Sequence, residues 1–106
     1  MKKDIYYKTL KIPHLNFTVH FLDMSKLKGV PISGAGYTCL MEDNSACVFL
    51  QDIEKTVKDV TKSSYVAHEI MHIIQILCEK FSMKVEEEKE HTAYLMHYLM
   101  DNLIND

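Results

Sequence analysis

Two histidines four residues apart, with a glutamate directly after the first, stand out in this chain: His68-Glu69-Ile70-Met71-His72. Residues four apart on an α-helix differ by only about 40° around its axis, so both imidazoles leave one face within reach of a single ion. Glu69 is offset by about 100° from His68 and can approach a water beside that ion without ligating it. Neutral imidazoles suit Zn²⁺, and three protein ligands leave a fourth position open. Zinc acidifies a bound water toward ~7, where a neighbouring carboxylate can take its proton. The pattern arises by chance in roughly 2–3% of shuffled chains of this composition, so its surroundings must be weighed. They favour chemistry. The pentapeptide sits mid-way in a Gly- and Pro-free run, Tyr65 to Phe81, flanked by apolar residues on both sides.

A third ligand has to come from elsewhere. The acidic run Glu86, Glu87, Glu88 and then Glu90 comes next, with Glu90 eighteen residues beyond His72. A short turn at Ser82 to Lys84 would return a second helix antiparallel to the first and turn a carboxylate of its early turns toward the histidines. Glu86, Glu87 and Glu90 share one helical face, so geometry alone leaves the choice among them open. Glu86 to Glu88 also suit a solvated helix start, where the dipole favours acidic residues. Glu90 differs in its downstream neighbours: Glu90, Tyr94, His97 and Asp101 form one polar stripe. Tyr94 on that stripe could hydrogen-bond a ligand imidazole or stabilise an oxyanion, or could be a tyrosine at the core boundary. His97 has no feature that fixes its depth. His14, beside Pro13, and His20, on the polar face of a strand, read as surface histidines, as does His91.

The elements that must position these residues change character near residue 60. Ile5 to Ile12 is β-prone and ends at Pro13. Asn16 to Leu22 alternates Phe17, Val19 and Phe21 with polar residues, the period of a half-buried strand. Lys28 to Gly36 holds all three glycines and reads as a loop. Gly36 to Met41 and Ala46 to Leu50 flank Glu42-Asp43-Asn44-Ser45 as a hairpin. Asp52 to Lys62 is ambiguous, a loop with a helical turn. Ser63 or Ser64 is the expected N-cap of the next helix, whose apolar positions are Val66, Ile70, Ile73, Ile74, Leu77 and Phe81. The second helix is expected to bury Ala93, Met96, Met100 and Leu103. The fold class is therefore α+β: three or four antiparallel strands, then two C-terminal helices, in a single domain spanning residues 1–106.

Bulk properties narrow the partners. At 106 residues, 47% apolar and 25% charged, the chain has the composition of a globular domain. A net charge of −3, with no basic block longer than Lys2-Lys3, argues against nucleic acid or an anionic membrane as the default partner. No apolar run approaches the ~18 residues of a membrane span, and no signal-type apolar region comes after the first lysines, so a cytoplasmic location is expected. Cys39, Cys47 and Cys78, an odd number without a C-x-x-C pair, are expected as reduced thiols, with Cys39 and Cys47 flanking the hairpin turn.

From His68 to Leu99 the chain resembles a family of short, mostly phage-encoded, zincin-like proteins. The features shared are Ser63-Ser64 ahead of H-E-x-x-H, then Glu90-His91-Thr92-Ala93-Tyr94-Leu95, then Tyr98. The hairpin from Tyr37 to Leu50 is similar to the strands that precede the active-site helix in zincins, where an edge strand takes an extended peptide by β-addition. The resemblance covers about the last 70 residues and implies a gluzincin-type zinc metallopeptidase, a hydrolase acting on a peptide or protein substrate. It implies His68, His72 and Glu90 as metal ligands, Glu69 as the base and Tyr94 as an assisting catalytic residue. A second reading is a catalytically inactive binding module, its zinc stapling two helices and closed by a fourth ligand such as His97, Glu86 or a cysteine. A third is a metal-free interaction domain.

Overall fold

The structure, a computed structural model, describes residues 5–27, 36–83 and 89–104. Four strands form one sheet: β1 (Tyr6–Ile12), β2 (Phe17–Asp23), β3 (Gly36–Leu40) and β4 (Ser45–Leu50), in the order β1-β2-β4-β3. Three helices complete it: α1 (Ile53–Lys58), α2 (Ser63–Lys80) and α3 (Lys89–Ile104). The chain is a small α+β fold. Pro13 lacks an N–H for the ladder and ends β1, and Asn16 in the left-handed region (φ 50°) reverses the chain into β2. Asn44, at φ 58°, does the same between β3 and β4, where the Ser45 hydroxyl donates to Asp43.

The expectation of a wholly antiparallel sheet is corrected in its centre. The two hairpins are antiparallel, but β2 and β4 run parallel, with Val19 beside Ala46 and Phe21 beside Val48. The topology gives the reason. Gly36 opens β3 level with Leu50 and Asp23, where β2 ends, so β3 descends along the outer edge and β4 ascends into the gap beside β2. Cys39 and Cys47 are direct partners across β3 and β4, and none of the three cysteines is in a disulfide.

One face of the sheet carries Ile12, Phe17, Val19, Phe21, Ala46, Val48 and Leu50, and the helices close over it with Val66, Ile70, Ile73, Ile74, Leu77, Leu95, Leu99 and Leu103. The alternation read in β2 and the helical period read in α2 are both seen in these buried sets. Neither Ser63 nor Ser64 caps α2. A 3-10 turn, Val60–Lys62, runs straight into the helix, and Asp59 does the capping one turn earlier by accepting from the Thr61 N–H and hydroxyl. Those two bonds hold the Asp59 carboxyl below its ordinary value of 3.8. In α3 the buried positions are Thr92, Leu95, Leu99 and Leu103, with Met96 and Met100 half-buried and Ala93 exposed. The stripe is thus turned from the expected Ala93, Met96, Met100, Leu103 set. Among the described residues, no helix is long and apolar enough to cross a membrane.

Candidate functional site

Helix α2 lies over the β3 side of the sheet and α3 over the β1 side. Where α2 crosses β3, a cleft of about 450 Å³ opens, lined by Gly36, Thr38, His68, Glu69, His72 and Glu79 among others. It continues as a hollow of about 480 Å³ between Ser64, Tyr65 and Gly36. Among the described residues β3 is an edge strand of the sheet.

The two imidazoles converge as the i, i+4 spacing predicts. His68 Nε2 and His72 Nε2 are 3.2 Å apart, with ring planes at 87°. Two tetrahedral zinc–nitrogen bonds of ~2.0–2.1 Å would separate the nitrogens by about 3.3 Å, so this pair fits the ion as it stands. Gln75, one turn on, presents its amide oxygen 3.1 Å from His72 Nδ1. An amide oxygen only accepts, so Nδ1 carries the proton and Nε2 keeps its lone pair outward, the tautomer a metal needs. Both histidines are exposed, and the site is shallow.

Glu69 is unlike them. The residue is only 7% exposed, and Thr38 Oγ1 donates to its Oε1 at 2.7 Å. The carboxylate passes over Gly36 so closely that a Cβ there would lie 2.8 Å from Oε2. Glycine at 36 is therefore what lets the carboxylate lie flat against β3 and still line the cleft. Reading the sequence missed Gly36, Thr38, Gln75 and Glu79. Gln75 was open to detection at three residues past His72, but the β3 contacts are long-range and carry no local signal.

Glu90 and Tyr94 are not brought to this cleft. Along α3, His91 meets His14, the Tyr98 hydroxyl donates to Lys11 O at 2.6 Å, and Lys8 Nζ donates to Asn102 O at 2.8 Å. Lys8 shares a row of the sheet with Phe21, Val48 and Thr38, so the site is level with the far end of α3. Glu90 lies twelve residues before Asn102, about 18 Å along the axis. The physical reason is simple. A helix that reverses soon after Phe81 starts beside the end of α2, and His72 is nine residues, about 13 Å, before Phe81. The stripe Glu90, Tyr94, His97, Asp101 does form one face, but all four are exposed. Tyr94 stacks on Tyr98 with ring centroids 6.0 Å apart and lies 6.1 Å from the His14 ring. The alternative ligands Glu86 and Glu87 lie outside the described residues, and among the described residues no three His, Cys, Asp or Glu side chains group closely enough to hold a metal.

Comparison with protein-family models, with curated proteins and with solved structures returns no match.

Proposed function

We propose that this chain is a zinc-dependent metallopeptidase that hydrolyses peptide bonds by water activation. The observation that carries the reading is the pair of converging Nε2 atoms, 3.2 Å apart, beside a glutamate fixed in the same cleft. His68 and His72 would hold the ion, whose chemistry is polarisation of a carbonyl and acidification of water. Their third protein partner is sought first among the carboxylates after His72, with Glu90 the one the zincin-like resemblance assigns and Glu79 the one that lines the cleft.

The chain's own residues supply the rest. Glu69 takes a proton from water as its oxygen bonds to the carbonyl carbon, then passes that proton to the leaving nitrogen as the C–N bond breaks. Thr38 fixes one carboxylate oxygen, so Glu69 keeps one orientation through both transfers. Gln75 holds His72 in its ligating tautomer. The outer edge of β3, unpaired among the described residues, suits a substrate laid along it as an extra strand, in line with the trough from Ser64 to Glu79.

The test begins with zinc content of the wild type and His72→Ala. About one zinc per chain, lost in the variant, is expected. No zinc in either after zinc is supplied sinks the reading. Cleavage of a peptide library by wild type, and none by Glu69→Gln that still carries zinc, then assigns the base.

One observation favours a second reading, an inactive zinc-carrying binding module: Glu69 is a largely buried residue whose carboxylate is already bonded across to β3, as a structural residue would be. That reading expects Glu69→Gln to leave partner binding and zinc content unchanged, with no cleavage by the wild type.

A further inference from the structure

A second pair of histidines closes at the other edge of the sheet. His14, in the turn between β1 and β2, and His91, in the first turns of α3, bring their Nε2 atoms to 2.8 Å although 77 residues separate them. The rings are tilted by 47°, centroids 5.0 Å apart, and the Tyr94 ring walls one side. His14 is exposed and His91 half-buried, so solvent reaches the pair. Among the described residues no third His, Cys, Asp or Glu groups with them.

We propose that His14 and His91 form a second site for a divalent metal ion, their spacing suited to tetragonal ions such as Ni²⁺ or Cu²⁺. The spacing carries the choice of ion. Two bonds of ~2.0 Å at a right angle place their nitrogens about 2.8 Å apart, the relation of neighbouring ligands in square-planar or octahedral complexes. The His68–His72 pair, at 3.2 Å, matches the wider tetrahedral angle instead. A hydrogen bond between neutral imidazoles also spans 2.8 Å, with one ring donating and the other accepting. The two accounts part when metal is added, because only a ligand pair gains.

The consequence is mechanical. An ion at His14 and His91 ties the N-terminal hairpin to the C-terminal helix across 77 residues of chain, a closure the unfolded chain makes only at a large entropic cost. Binding is therefore linked to folding.

The experiment uses the full chain with the first pair removed, His68→Ala/His72→Ala, titrated with Ni²⁺ by calorimetry and followed by thermal melting. One Ni²⁺ per chain is expected, with a rise in Tm of roughly 10–20 °C at hundredfold excess over Kd. Adding His14→Ala, or separately His91→Gln, should weaken binding at least roughly tenfold and abolish the rise. His91→Gln keeps a polar partner for His14, and its metal-free circular dichroism should match the parent, which separates ligand loss from misfolding. No Ni²⁺ uptake by the parent, uptake unchanged by His14→Ala or His91→Gln, or uptake without a rise in Tm would each overturn the proposal.

Discussion

Replacing Gly36 by alanine tests how Glu69 is held. The added Cβ would sit 2.8 Å from Oε2 and 2.9 Å from both Cδ and Cγ of Glu69, about half an ångström inside ordinary contact. Moving only the carboxylate tip does not relieve this, because Cγ is also too close. The side chain must swing away from β3, which breaks the 2.7 Å bond from Thr38. Overpacking costs about 1–3 kcal/mol, and the lost charge-assisted hydrogen bond about 1.5–3 kcal/mol if nothing replaces it. Alanine returns about 0.5–1 kcal/mol of backbone entropy, and water reaches the displaced carboxylate at the cleft. The expected net loss is about 2 kcal/mol, a fall in Tm of about 8–16 °C for a domain of this size.

A double-mutant cycle with Glu69→Ala makes the reasoning refutable. With the carboxylate gone, Gly36→Ala meets no clash and should be neutral or stabilising by about 0.5 kcal/mol, so the coupling should be about 2–3 kcal/mol. Urea titration of the four proteins measures it. If the two changes add within about 0.5 kcal/mol, the contact with Glu69 is not what requires glycine at 36. Gly36→Ala should also keep zinc, because both imidazoles stand on α2, while turnover falls up to about a hundredfold from misplacement of the base.

Glu69→Gln should retain about one zinc per chain and lose turnover, measured by metal analysis beside a peptide-cleavage assay; full-rate cleavage would remove Glu69 as the base. Glu90→Ala should leave zinc affinity unchanged, since Glu90 stands beside His91 in the first turn of α3, away from the cleft, and a loss of zinc in that variant would show that α3 reaches the histidines when metal is bound. Asp59→Ala should destabilise at neutral pH. Because hydrogen bonds from Thr61 depress the Asp59 pKa below 3.8, that contribution is present above the unfolded value and is lost as pH falls through the folded one, so the difference from wild type should shrink in acid denaturation below pH 3.8, and a pH-independent difference would remove the charge from the account. Burial first, then Cys39, raises the Cys47 thiol above 9.0, so its alkylation by iodoacetamide should reach half its limiting rate above that pH and shift down in Cys39→Ala; a midpoint below 9.0 would contradict the burial.

Local periodicity carried what local periodicity can. Val66, Ile70, Ile73, Ile74 and Leu77 are buried at the spacing that predicts α2, and Phe17, Val19 and Phe21 at the spacing that predicts β2. The pairing of β2 with β4 was not legible, because alternation decides which face a residue takes and not which strand lies beside it. The phase of α3 failed for a related reason. Leu95 and Leu99 on one flank, Met96 and Met100 on the next, are both apolar at helical spacing, so the period has two solutions one residue apart, and packing against the sheet selects the leucines. In the site, the histidine pair is dictated by a spacing of four, whereas the place of Glu90 depends on where α3 begins relative to the end of α2, a distance that no local pattern encodes.

That same geometry weighs the two functional readings against each other. A structural metal stabilises a small domain by joining elements that would otherwise separate. His68 and His72 both belong to α2, and Gln75, which orients His72, belongs to it too. An ion held by that pair joins the helix to itself. Glu69 is the residue of the pentapeptide that does reach across, to Thr38 and Gly36 of β3, and it does so without any metal. The division of labour suits a reaction better than a staple: folding fixes the carboxylate through β3, while the histidines remain exposed along a trough where an ion could meet both water and substrate. The pair built to join distant parts of the chain is His14 with His91, which is why zinc at the first site should raise Tm less than Ni²⁺ at the second, and why equal shifts from the two sites would return the zinc-stapled module to first place.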